Sequence, residues 1–206
     1  MRIRWILTPL TCLFIASAAL ADYGTPPPPP QQPAASGSST RSPDGTEMTS
    51  RKEAERYFAE AYDDVVKAGK EAGKGKQDAA AKKYRRALER SQNSVRLDST
   101  YHEAWNLVGF TSRKLGDYPN SFAAYRVALK LKPDFALAHE YYGEGLLETG
   151  DLAGAQQQLV ALRECGTPEL IAELEGAITK YAAAHPQAPT PSKAPADTTA
   201  APDSAR

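Results

Sequence analysis

Cysteine is nearly absent. The 206 residues hold two, and Cys12 lies in an N-terminal stretch expected to be removed, so Cys165 stands alone and no internal disulfide framework is available. Stability has to come from packing. Charge of one sign is also missing: Lys plus Arg and Asp plus Glu number 25 each, which excludes a global field aimed at nucleic acid or an anionic membrane surface. Any recognition by charge must be local. Proline is scarce in the middle of the chain. Of the 16 prolines, Pro9 precedes everything else, twelve lie in residues 22–50 and 185–206, and only Pro119, Pro133 and Pro168 lie between. One folded domain over residues 51–184, with two flexible ends, is the expectation.

No apolar run is long enough for a membrane span. The stretch from Trp5 is about 16 residues, interrupted by Thr8, Pro9 and Thr11, against the ~20 a spanning helix requires. With Arg2 and Arg4 before it and Ala19-Leu20-Ala21 after it, residues 1–21 read as a signal peptide cut between Ala21 and Asp22. The expected address is the periplasm or the exterior, and an uncleaved anchor is the alternative. Lipidation at Cys12 does not fit, because more apolar residues follow it. Residues 22–50, with five successive prolines and then Gly and Ser, read as a disordered linker. A proline-rich ligand for another domain is the competing reading. The Pro/Ala-rich tail, residues 185–206, reads as disordered.

What is present is a repeat. Shifting the chain by 34 residues pairs Gly109 with Gly143, Gly116 with Gly150, Asp117 with Asp151, and the segment around Pro133 with that around Thr167. A period of that size is the signature of stacked helix pairs, since one pair cannot bury its apolar face alone. Pro133 interrupts the helical run "YRVALKLKPDFALAHEYYG", so two helices meet there. Gly116-Asp117 ends one helix and caps the next, with Pro119 tolerated in the first turn; Asp134 is placed to cap the helix after Pro133. Gly109 and Ala128 are small where the paired helices approach, while Trp105 and Tyr125 fill wider gaps.

An upstream unit fits at a shift of 41, pairing Ala68 with Gly109, Gly75 with Gly116 and Tyr84 with Tyr125. The seven extra residues are about two helical turns, so its second helix should be long, from Asp78 to about Leu97. Its first helix is expected over about Glu53 to Lys70, and "KAGKEAGKGKQD" as a long mobile turn. After the third unit, Leu170, Ile171, Leu174, Ile178 and Tyr181 form one stripe at helical spacing. Thr167 and Pro168 are its start signal, and it suits a terminal capping helix.

The middle unit, with Trp105, Val108, Gly109, Ser112, Ser121, Tyr125, Ala128 and Pro133, resembles a tetratricopeptide repeat, Ser112 and Ser121 departing from the consensus. The third unit keeps Gly143, Gly150, Asp151 and Ala155 but has His139 in the tryptophan slot and Leu159 in the aromatic one. The resemblance implies an all-α solenoid of about three helix pairs plus a capping helix, with repeats at about 54–101, 102–135 and 136–166 and the cap at 167–184. It also implies a concave groove that holds a segment of a partner protein. Carried across, the groove residues are Glu103, Asn106, Phe110, Arg113 and Lys114 of the middle unit and Leu137, Glu140, Glu144, Leu147 and Glu148 of the third. Glu140, Glu144 and Glu148, four apart, make an acidic ridge beside a basic pair. The ridge is expected to receive a basic or amide-rich segment with Phe110 as apolar anchor. The competing reading is an ordinary solvated helix face. The carboxylate clamp of chaperone-binding members lacks its residues here, where Asn106, Phe110, Glu140 and Glu144 stand.

Enzymatic chemistry finds little support. His102-Glu103 and His139-Glu140 look like halves of a zinc motif, but the second histidine would fall at Asn106 and Gly143. No metal and no cofactor is expected. There is no G-x-S-x-G elbow, and "GKGKQD" follows no strand. Cys165 precedes the capping helix, whose N-terminus could lower a thiol's pKa and make it reactive, but a merely buried or idle thiol is the favoured reading. The expectation is an exported, non-enzymatic adaptor or scaffold. A self-associating envelope protein is the second reading and a thiol-reactive or metal-assisted enzyme a third.

Overall fold

Two aspartates open the hairpins. Asp117 accepts a hydrogen bond from the Asn120 amide at 3.3 Å, and Asp151 from the Gly154 amide at 2.8 Å. Each satisfies one of the donors that a helix start leaves unpaired. One place earlier, Gly116 and Gly150 hold φ of +79° and +88°, the left-handed conformation that closes the preceding helix. These turns join α3 (His102–Lys114) to α4 (Tyr118–Leu131) and α5 (Ala136–Glu148) to α6 (Leu152–Glu164). The computed structural model describes residues 46–186. It adds α1 (Thr46–Gly73) and α2 (Gln77–Leu97) before these pairs and α7 (Pro168–Ala184) after them. Among the described residues every regular element is a helix, and none is long and apolar enough to cross a membrane. The expected leader, most of the linker and most of the tail lie outside the described residues.

The long second helix of the first unit is there, but the long mobile turn before it is not. Helix α1 runs on to Gly73, and only Lys74 to Lys76 turn the chain, with the Gly75 amide donating to the Ala72 carbonyl at 2.8 Å. Ala61, Val65, Ala68 and Ala72 form a continuous buried stripe, so packing overrides the weak helix propensity of Gly69 and Gly73. Asp134 does not cap α5 either. The cap position is Phe135, which makes no side-chain capping bond. Thr167 does hold the position before α7, again without a capping bond.

Each helix packs on its sequence neighbour, and three further contacts give the array its shape. Helix α1 touches α3, α3 touches α5, and α5 touches α7, whereas among the described residues no contact joins α2 to α4 or α4 to α6. The layer α1/α3/α5/α7 is therefore the tighter, inner one. A chain of rings runs through the core: Phe58 on Tyr101, Tyr84 on Phe110, and Phe110 on Tyr141, with centroids 5.1, 6.4 and 5.1 Å apart. Helix α7 closes the far end, burying Leu174 completely against Leu159 and Leu162 of α6.

Close approach is bought with glycine. A methyl group at Gly109 would come within 2.6 Å of the Tyr125 ring, and one at Gly143 within 2.8 Å of Leu174. Because α3 and α4 lie so near, Ser121 donates to the Gly109 carbonyl at 2.8 Å. That bond explains a serine where a larger or wholly apolar residue would serve packing less well.

Candidate functional site on the inner layer

Helices α3 and α5 carry the ten expected groove residues, and their side chains divide into two groups. Glu103, Lys114, Leu137 and Glu144 are half-buried and Glu148 is exposed, but Asn106, Phe110, Arg113, Glu140 and Leu147 are buried. Phe110 is not a surface anchor: at 1% exposure it lies between Tyr84 and Tyr141 in the core. Leu147 belongs to the apolar cluster with Leu146, Leu152 and Ala155, and Leu137 packs against the main core. The acidic ridge is split, with Glu140 turned inward and Glu144 and Glu148 nearer solvent.

The structure does bring the basic pair to that ridge. Arg113 Nη1 stands 2.7 Å from Glu144 Oε2 and 3.5 Å from Glu148 Oε1. This is an ion pair by proximity, since the guanidinium N–H bonds are not aligned on either oxygen as hydrogen bonds. The stem of Arg113 passes close to Gly145, where an added methyl would meet its Cδ at 3.2 Å. Burial opposes the Arg113 charge, while Tyr125, Glu144 and Glu148 favour it, and the net effect keeps it protonated. Lys114 fares differently. Burial and the neighbouring Arg113 charge push its ammonium down to about 8, and its Nζ lies 5.3 Å from the Phe110 ring centre.

Glu140 is the most perturbed acid. Burial first, and then the Glu144 charge, push its carboxyl up to about 9, against the opposing pull of Arg113. The α7 residue Glu173 adds to the repulsion. Five side chains in this region have buried polar atoms without a hydrogen-bond partner: Glu103 Oε2, Asn106 Oδ1, the three guanidinium nitrogens of Arg113, Glu140 Oε2 and the Tyr125 hydroxyl. The sequence reading missed Tyr125, Tyr141 and Glu173 as members of this cluster. The repeat register points to Tyr125, which lies opposite Gly109; nothing in the sequence places Glu173 beside Glu140.

A scan against protein-family models finds no match, and no curated protein matches the chain. The site therefore has to be read from its own geometry.

The other chemistry-bearing residues have structural partners. His139 is buried, with Nε2 2.9 Å from the Pro133 carbonyl and Nδ1 2.8 Å from the Gln158 amide, as a packed residue in the aromatic slot would be. His102 rests edge-on against Phe135, its Nδ1 3.1 Å from Glu103 Oε2, and burial lowers its pKa. Cys165 ends α6 instead of beginning α7. Its thiol donates toward the Ala161 carbonyl at 3.4 Å, and burial raises its pKa with help from Asp134 and Glu164. A raised pKa is the opposite of activation, which goes with the favoured idle thiol and against the reactive one.

Proposed function

We propose that this chain is an exported adaptor of the tetratricopeptide type, without catalysis of its own, whose inner layer holds a segment of a partner protein. The observation that carries the reading is the polar stripe on α3 and α5. Charged and amide side chains there remain buried with unfilled hydrogen-bonding capacity, although an interior of this size has ample apolar residues to replace them. Buried polar atoms without partners are costly, and a stripe of them along one layer is accounted for by a ligand that supplies the missing partners. Of the second helices, α2 and α6 carry no such orphaned atoms among the described residues, and α4 carries one, the Tyr125 hydroxyl.

Photo-cross-linking in living cells tests this. A cross-linker placed at Glu148, on the inner layer, is expected to capture one discrete partner protein, while one at Gln157, exposed on α6, is not. Equal capture from both positions, or capture only of further copies of this chain, would remove the adaptor reading. Light scattering on the purified protein adds the second check, with a monomer expected.

A further inference from the structure

Asn106 and Glu140 occupy the same place in successive units, since 106 plus 34 is 140, on the touching helices α3 and α5. Both are buried, at 4% and 2% exposure, and each keeps an acceptor oxygen without a donor. Among the described residues no cation forms an ion pair with Glu140, although the charges of Arg113 and Lys114 are near enough to act on it. Arg113 is engaged by Glu144 and Glu148, and moving it would strand both of those carboxylates. Among the described residues Lys114 forms no ion pair. The remaining groups around Glu140 are Glu144 on its own helix, Glu173 on α7 and the hydroxyl of Tyr125 on α4, none of which is a cation.

We propose that Asn106 and Glu140 form a specificity subsite for one basic side chain, an arginine before a lysine, carried by the protein segment that the inner layer holds. The inference rests on the adaptor reading and names the chemistry of the partner. Once Glu140 has given up its proton both vacant atoms are acceptors, so the group that pairs with them must be a donor; the unpartnered donors of this region belong to Arg113, which stays beside Glu144 and Glu148. A guanidinium offers five N–H bonds in a planar fork that can reach an amide oxygen and a carboxylate together, whereas an ammonium offers three from a point. An anionic or purely apolar segment would leave both acceptors unfilled. The incoming cation takes the place of the Glu140 proton: the carboxylic acid becomes a carboxylate paired with the guanidinium, and the proton leaves to solvent.

Selection of a random peptide library on the full chain tests the subsite. The retained peptides are expected to share an arginine or lysine at one common position. Replacing that residue by norleucine in a retained peptide should weaken binding by about tenfold or more, the scale of a charge-assisted hydrogen bond. The same replacement should make little difference to Glu140→Gln protein. Calorimetry in buffers of different ionisation enthalpy should find about one proton released per peptide bound to the unaltered chain near neutral pH, and none with Glu140→Gln. Retained peptides without a common basic residue, or an equal norleucine effect in both proteins, would overturn the subsite and leave the adaptor reading standing. A library from which nothing is retained would overturn both. The norleucine loss and the proton release are read first on the unaltered protein, and retained binding of the norleucine peptide by Glu140→Gln shows that the variant is folded when the comparison is made.

Discussion

Trp105 and His139 stand 34 residues apart and hold their rings to carbonyls that are also 34 residues apart. The Trp105 indole donates to the Ser99 carbonyl at 2.9 Å, and His139 Nε2 lies 2.9 Å from the Pro133 carbonyl. A carbonyl can only accept, so Nε2 carries the proton; Nδ1, 2.8 Å from Gln158 Oε1, then accepts from the Gln158 amide turned to present its NH2. The histidine thus repeats the indole's bond to the corner between units, with a smaller ring.

His139→Ala should therefore destabilise the protein through a cavity and the loss of two hydrogen bonds, by about 2 kcal/mol. His139→Trp should recover part of that, because the indole can make the same bond to Pro133. Urea unfolding followed by circular dichroism checks both, and a change of under about 0.5 kcal/mol for the alanine variant would show that the corner bond is incidental.

Asp64 on α1 is fully buried and is held by two arginines of α2. Arg86 Nε donates to it at 2.7 Å, and Arg90 makes the second contact. The arginines are partly exposed and can be rehydrated if the aspartate is removed, so Asp64→Ala should cost about 2–3 kcal/mol, short of the value for a wholly buried pair. The double change Arg86→Met and Arg90→Met should cost more, because it leaves a buried carboxylate with no cation. Denaturant midpoints in the reverse order would show that the aspartate is solvated in solution.

Gly143 and Leu174 meet where the third unit receives its cap, and no space remains for a methyl group between them. Gly143→Ala should cost about 1–3 kcal/mol by overpacking, and Leu174→Ala about 2–5 kcal/mol through a cavity. Combined, they should cost at least about 1 kcal/mol less than the sum, since each makes room for or fills the other. Additive values in thermal or urea unfolding would mean that α7 is not seated on α5 as described.

The same contact shows how much the sequence discloses. The period of 34 places Gly109, Gly116, Gly143 and Gly150 at helix approaches and turns, because there backbone geometry admits little else. Helical spacing separately finds the stripe of α7. It does not say that Gly143 packs on Leu174 of the cap while Gly109 packs on Tyr125 of its own hairpin, since small residues report close approach but not the partner. The inner-layer stripe was likewise legible as a set of positions. Burial was not, because exposure depends on how far α3, α5 and α7 converge, a tertiary quantity. Phe110 and Glu140 turn inward for that reason. Glu144, which reads as a solvated ridge residue in sequence, is a counter-ion of buried Arg113. A charge reversal there would disturb folding as well as any ligand. The upstream turn misled in the opposite sense, as its glycines suggest mobility until the buried alanine stripe beside them is seen.

Glu140 makes stability depend on pH in a direction unusual for a carboxyl group. Most acids in folded proteins are held below their ordinary pKa and lose their contribution on acidification. Here burial and the charges of Glu144 and Glu173 raise the carboxyl from 4.5 to about 9, against Arg113. Between those values the folded chain keeps a proton that the unfolded chain gives up, so this group's contribution is complete below pH 4.5 and declines as pH rises toward 9. Glutamine at the same place has the shape of the neutral acid and no proton to lose. Glu140→Gln should therefore melt close to the unaltered protein at pH 4.5 and above it at pH 8.5, with the gap widening in between. Lys114, lowered to about 8 by burial and Arg113, contributes with the opposite slope from about pH 8 up to its ordinary value of 10.5, so the series should be repeated in a Lys114→Met background. A gap that stays constant from pH 4.5 to 8.5 in both backgrounds would mean that Glu140 is ionised in the folded protein and already holds a cation.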